Sequence, residues 1–184
     1  GDTIDIHAGG EDLQFPHHEN EIAQSETLTE KPFANYWMHN GMLNIDNQKM
    51  SKSLGNFLLV RDIEKEFDLE VLRLFLLSAH YRSPINFTRE VMEQIENGLE
   101  RLYNGKKNLE YLFNMAEDRQ VNEEEKIGLN DIDNFKQEFI QAMDDDLNTA
   151  DAIASIFDLV KYSNTNIKES SSKELVKKAY DMLL

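Results

Sequence analysis

The sequence contains no cysteine. Disulfides, thiol catalysis and a zinc site built from the chain's own thiolates are therefore excluded. It also has no run of 18 apolar residues. Its densest patch, Leu74–Leu77, is far too short to cross a bilayer, so no membrane partner is expected. Bases are scarce, with 19 Lys+Arg against 35 Asp+Glu and a net charge of −16. That argues against a nucleic-acid binder working by bulk electrostatics. The deficit is uneven, however. Residues 61–109 carry nine acids and eight bases, whereas 110–151 carry thirteen acids and three bases. An anion-binding surface is thus to be sought before Leu109, among Arg61, Arg73, Arg82, Arg89 and Arg101.

What is present divides near residue 60. The first 60 residues hold four of the five histidines, the only tryptophan, and the glycine-bearing strings "HAGGED" and "HNGM", a composition of short elements and turns. "TIDIH" alternates and ends at a glycine pair, predicting a strand of about four residues entering a tight loop. Pro16 is placed to open a helix that Ile22 and Ala23 continue. "NYWMHNGMLNID" reads as a hairpin turning at Asn40-Gly41, a pair that tolerates positive φ at both positions. From Val60 onward the apolar spacing becomes helical. Asp68 is a candidate cap for a buried helix on Val71, Leu72, Phe75 and Leu76, and Thr88 for a long one on Val91, Ile95, Leu99, Leu102, Leu109 and Leu112. The charged string "EDRQVNEEEK" reads as a linker. Beyond it, Ile132, Phe135, Phe139 and Met143 mark one helix, Asn148 with Asp151 a capping box for the next, and Ser172 the start of a last one. Such a tail predicts antiparallel helices with short connections.

Three strings carry chemistry. In "FPHHENEIAQSE", His17 and Glu21 are four apart and share a helix face, where an imidazole and a carboxylate can occupy two of four tetrahedral positions on zinc. An ordinary ion pair on a solvated helix is the alternative reading. His18 and Glu19 are expected to point elsewhere, as supporting or surface residues. In "IHAGGEDL", His7 stands at a strand end, Gly9 and Gly10 permit close backbone approach, and Asp12 can accept from ribose hydroxyls. In "KMSKS", Lys49 and Lys52 are two of only three bases in the first sixty residues, and read either as solvated lysines of an exposed loop or as a mobile anion clamp on a phosphoryl chain.

Together "HAGGEDLQFPHHENEIAQSE" at 7–26, "NYWMHNGML" at 35–43, "KMSKS" at 49–53, "AHYRSPINF" at 79–87 and "AMDDDLNTADAIASIFDL" at 142–159 resemble cysteinyl-tRNA synthetase, a class I aminoacyl-tRNA synthetase. The resemblance implies a mainly α chain. Residues 1–58 would be the C-terminal part of a Rossmann-like α/β catalytic domain with the KMSKS loop. Residues 59–119 would form a helical connecting region that contacts the tRNA stem, and 120–184 part of the tRNA-contacting helical domain, an antiparallel bundle. It implies activation of L-cysteine by ATP, with Mg2+, to cysteinyl-adenylate and transfer to the 3′ end of tRNA(Cys), in the cytoplasm. By similarity His17 and Glu21 would be ligands of one zinc ion that binds the substrate thiolate. His7, Lys49 and Lys52 would be catalytic. Gly9, Gly10, Asp12, Met42, Leu43 and Lys52 would hold the nucleotide. One departure is Ala8, where the family usually has glycine.

The family places two zinc cysteines, a "HIGH"-like motif and the first Rossmann half before "HAGGED", and an anticodon-recognition end after the helical domain. The expectation is therefore an internal fragment with an incomplete zinc site, inactive by itself. Its residues 1–58 would be partly disordered or would self-associate through an exposed half-sheet. A cysteine ligase of mycothiol synthesis, with an amino-sugar acceptor, and a non-catalytic helical interaction module are the alternative functions.

Overall fold

Ile4, Ile6 and Ala8 alternate along β1 (Ile4–Gly10), which continues through both glycines instead of stopping before them. The computed structural model describes residues 1–51 and 55–184. β1 pairs in parallel with β2 (Ala34–Asn40), in a register that sets His7 beside Trp37 and Gly9 beside His39. A parallel pair needs a crossover, and helix α1 (Glu19–Thr29) provides it. Pro16 lies in a wide, kinked turn, Gln14–His18, that leads into α1. Phe15 inside that turn is extended, at φ −136° and ψ 133°, so regular helix begins only at Glu19.

The hairpin expected at Asn40-Gly41 is not formed. β2 and β3 (Leu43–Ile45) belong to different sheets, and β3 lies between β4 (Gln48–Lys49) and β5 (Ile85–Phe87) in the order β4-β3-β5. The true hairpin joins β3 to β4 through Asp46 and Asn47, at φ 49° and 62°. Two consecutive positive φ values suit a two-residue turn between twisted antiparallel strands. Gly41 serves a different purpose. Its N–H donates to the Tyr81 carbonyl at 2.8 Å, and a Cβ there would lie 2.4 Å from the Ser83 carbonyl carbon and oxygen. Close backbone approach, not positive φ, requires glycine here.

The chain forms two compact units, one of Gly1–Val60 with His80–Arg89, the other of Arg61–Ala79 with Glu90–Leu184. A short α2 (Val60–Ile63) begins at the last residue of that first segment and precedes α3 (Leu69–Leu77) of the second unit. The Asp68 carboxylate caps α3 by accepting from the Glu70 N–H at 2.8 Å. Val71, Leu72 and Phe75 are its buried face. Helix α4 (Arg89–Met115) is followed by α5 (Glu123–Asp144), α6 (Thr149–Asn166) and α7 (Lys173–Asp181). Leu109, Leu112, Ile132, Leu159, Leu175 and Val176 meet in their common core. Each contributes about 1.5–3 kcal/mol by leaving water, which outweighs the cost of glycines inside α4.

The charged string read as a linker is structured. Asn122 and Glu125 form a capping box at the start of α5, and the Arg119 guanidinium donates to both Glu125 oxygens at 2.8 Å. Glu125 also accepts from the Ser172 N–H at 2.7 Å, which ties this segment to the start of α7. Asn148 caps α6 by accepting from the Asp151 N–H at 3.2 Å. Its own side-chain amide, rather than its backbone, donates to the Asp151 carboxylate.

Candidate active site

Period-two alternation puts His7 and Gly9 of β1 and Trp37 and His39 of β2 on one face, near the carboxyl ends of a parallel pair. That end is where open α/β sheets bind ligands. The wide turn and the first turn of α1 bring His17, His18 and Glu21 onto the same face. His7 Nε2 and Glu21 Oε2 are 2.7 Å apart, and His17 Nε2 lies 3.5 Å from the other Glu21 oxygen. Glu21 is therefore shared by two imidazoles, and His17 and Glu21 stand together as their spacing implies.

His18 departs from its sequence reading. It is 4% exposed, its ring lies edge-on to His7 at 4.8 Å, and its Nδ1 is 2.8 Å from His39 Nε2. A regular helix would turn His18 about 100° away from His17, but the wide turn rotates it inward. Its ring fills the space over Gly9, where a Cβ would lie 2.9 Å from His18 Cε1. Burial, and then the charges of His7 and His39, hold the His18 imidazole below its ordinary value, against the opposing pull of Glu21. A neutral imidazole keeps a lone pair for a hydrogen bond or a metal.

Ligand atoms of His7, His18 and Glu21 all lie within 4.8 Å of one another. Two imidazoles and a carboxylate are borderline to hard donors of the kind zinc accepts, so the cluster fits a divalent transition metal. His17 extends the set at its solvent side, with its side chain 60% exposed.

Of the other candidates, Gly10 ends β1 and Asp12 is exposed in the single helical turn Glu11–Leu13 that follows it. Met42 accepts from the Ile85 N–H at 3.0 Å, and Leu43 opens β3. Lys49 is exposed at the end of β4. Lys52 lies outside the described residues. Asn56, to which the sequence reading gave no role, bonds back to the residues on either side of Met50. Its amide donates to the Lys49 carbonyl at 3.0 Å and its carbonyl accepts from the Ser51 N–H at 2.9 Å. The signal was a side-chain amide one residue after Gly55, which stands at φ 70°.

Residues 1–97 match the family of tRNA synthetases class I (C), catalytic domain, and residues 138–184 match the DALR domain. Among curated proteins, the cysteine–tRNA ligase of Clostridioides difficile (strain 630) is 56% identical over 181 residues, covering 98% of this chain and 39% of that protein. That of Lachnospira eligens is 58% identical over 175 residues, covering 95% and 37%. The chain thus spans less than two-fifths of the length of these relatives. Among solved structures, the LeuRS of Agrobacterium radiobacter K84, in a ternary complex with tRNA and LeuAMS, aligns with a TM-score of 0.78. The identity is 21%, over 97% of this chain and 25% of that one. Mycobacterium tuberculosis methionyl-tRNA synthetase in complex with methionyl-adenylate aligns with a TM-score of 0.71 at 16% identity, over 97% and 38%. These two likenesses carry the fold, and the family matches carry the membership: the chain belongs to the class I (C) tRNA synthetase family and joins part of its catalytic domain to a DALR helical domain.

Proposed function

We propose that this chain supplies part of an ATP-dependent ligase that activates L-cysteine to cysteinyl-adenylate and transfers it to the 3′ end of tRNA(Cys). The observation that carries the reading is the His7–His18–Glu21 cluster, with His17 beside it, at the strand ends of a chain 56–58% identical to cysteine–tRNA ligases. His17 and Glu21 would hold zinc, with His7 and His18 within reach. When bound, the metal would supply a soft Lewis acid for the substrate thiolate. His7, hydrogen-bonded to Glu21, is fixed in orientation next to the glycine pair. The exposed Asp12 carboxylate is suited to accept from ribose hydroxyls, and Gly9 and Gly10 to let the nucleotide approach the backbone. Lys49, on a loop base braced by Asn56, is suited to the ATP phosphates with Lys52. Preorganised cations placed where charge develops on the departing pyrophosphate favour the transition state over the ground state.

The test is aminoacylation by the full-length protein, with radiolabelled cysteine and a tRNA(Cys) transcript. Cysteine should appear on the tRNA and not on an amino-sugar inositol acceptor. Transfer to the amino sugar alone, or to neither acceptor despite saturating ATP and zinc, would overturn the reading.

A further inference from the structure

The hairpin that carries Lys49 is too short to hold its own shape. β3 and β4 meet in only two residue pairs, Asn44 with Lys49 and Ile45 with Gln48, and β4 is the edge strand of the order β4-β3-β5. A two-stranded hairpin of this size is marginal in water, so the orientation of Lys49 depends on what fastens the turn before it. Asp46 and Asn47 both stand at positive φ in that turn. Asp and Asn tolerate this conformation better than most residues, but it still needs support.

The ladder of a two-residue hairpin leaves the N–H groups of its two turn residues unpaired. Here β5 takes both. The Asp46 N–H donates to the Phe87 carbonyl at 3.1 Å, and the Asn47 N–H donates to Asn86 Oδ1 at 2.8 Å. The first bond joins main chain to main chain and survives any side-chain substitution. The second hangs on one side chain. Asn47 immediately precedes β4, whose second residue is Lys49, so a tether at the Asn47 nitrogen fixes the direction in which β4 leaves the turn. The register adds to this. Asn86 pairs with Asn44, and Asn44 with Lys49, so the three residues form one rung across the sheet and share a face. The Asn86 and Lys49 backbones stand two strand spacings apart, about 10 Å, so Asn86 acts on the lysine through the turn and not by contact. Beyond Lys49 the chain is held again, by the Asn56 amide on the Lys49 carbonyl at 3.0 Å. The exposed lysine has no ion pair among the described residues to orient it, which leaves its aim to the backbone between these two asparagines.

We propose that Asn86 is a positioning residue for Lys49: by holding the Asn47 N–H, it sets the angle at which β4 delivers the ammonium to the phosphates of ATP. The proposal rests on the ligase reading above, in which Lys49 serves those phosphates, and it gives one residue of the string at 79–87 a part in the chemistry. A cation held in place before the reaction needs no reorganisation as charge develops, so slackening its support costs rate more than it costs fold.

The test is cysteine-dependent ATP–pyrophosphate exchange by the full-length protein, for Asn86→Ala, Lys49→Ala and the double variant, with unfolding midpoints and the amide exchange of Asn47 measured alongside. Losing one hydrogen bond behind a positioned cation should lower kcat/KM for ATP roughly three- to tenfold and leave KM for cysteine within twofold. The unfolding midpoint should stay close to the parent's, because the bond lies at the surface. The Asn47 amide should exchange faster in Asn86→Ala and stay slow in Asn86→Asp, which keeps the acceptor oxygen. The double variant should exchange pyrophosphate no more slowly than Lys49→Ala, since without the ammonium nothing is left to aim. Losses that multiply in the double variant, a cysteine KM raised in step with that for ATP, or parent-like exchange by Asn86→Ala would overturn the proposal and leave the ligase reading intact. An Asn47 amide equally fast in parent and Asn86→Ala would overturn it as well, and so would an Asn86→Ala protein that fails to fold, by making the residue a structural support. A parent protein without cysteine-dependent exchange would overturn both readings.

Discussion

Glu125 offers the most quantitative test of how the helical unit is held. The residue is 8% exposed and accepts four hydrogen bonds: two from the Arg119 guanidinium, one from the Ser172 N–H and one from the Asn122 N–H. The Arg119 side chain first, and then the two backbone donors, outweigh burial and hold its carboxyl down at about 2, from an ordinary 4.5. A depressed folded-state pKa stabilises above the unfolded value and loses that contribution as pH falls through the folded one. The linkage therefore contributes about 3 kcal/mol at pH 7. About 2 kcal/mol of it is gone by pH 3, and nearly all below pH 2. Because the Arg119 side chain is a third exposed, these figures are ceilings. Glu125→Gln keeps the shape, removes the charge and leaves Arg119 and Ser172 underpartnered. It should cost about 1.5–3 kcal/mol at pH 7. Urea unfolding of parent and variant at several pH values isolates the residue, since the other carboxylates titrate in both. The stability difference should be widest above pH 5 and narrow steadily toward pH 2. A difference independent of pH, or one below about 0.5 kcal/mol at pH 7, would refute the reasoning.

Ile132, fully buried in the helical core, should cost roughly 2–5 kcal/mol as Ile132→Ala in thermal or urea unfolding, and a loss under 1 kcal/mol would mean that the site collapses freely. Gly41→Ala forces its new methyl against the Ser83 backbone and should destabilise the first unit by about 1–3 kcal/mol, read as faster amide exchange at Ile85, whose N–H bonds Met42; unchanged exchange would contradict the close approach. In the full-length protein, Lys52→Ala should slow adenylate formation by roughly 10²–10³ with little change in cysteine affinity, and pre-steady-state kinetics would show the assignment to be wrong if only cysteine binding suffered.

Helical periodicity made much of the second unit legible, because apolar spacing and caps there are local. Asp68, Asn148 and Ser172 stand at the helix starts their residue types imply. The string from Glu117 to Lys126 was misread because high charge resembles a solvated linker. Its order comes from a pair, Arg119 with Glu125, completed by Ser172 far along the chain. In the first unit, Asn40-Gly41 carries the stronger hairpin signal, yet Asp46-Asn47 makes the turn. Parallel pairing of β2 with β1 and the Tyr81–Ser83 backbone decide the matter, and neither is visible locally. At the candidate site, the four-residue step from His17 to Glu21 was readable from helix geometry. The inward turn of His18 was not, because it depends on the wide turn at Gln14–His18 and on His39, which β-strand register alone brings close.

The claim that the histidine–glutamate cluster belongs to a cysteine-activating site is tested most directly by ATP–pyrophosphate exchange. The full-length, zinc-replete protein would be assayed with each of the twenty amino acids in turn. Exchange should depend on cysteine alone, and Glu21→Gln should raise the cysteine concentration needed for half-maximal exchange by tenfold or more while leaving that for ATP nearly unchanged. Exchange driven by another amino acid, or a Glu21→Gln protein with unaltered cysteine dependence, would contradict the account.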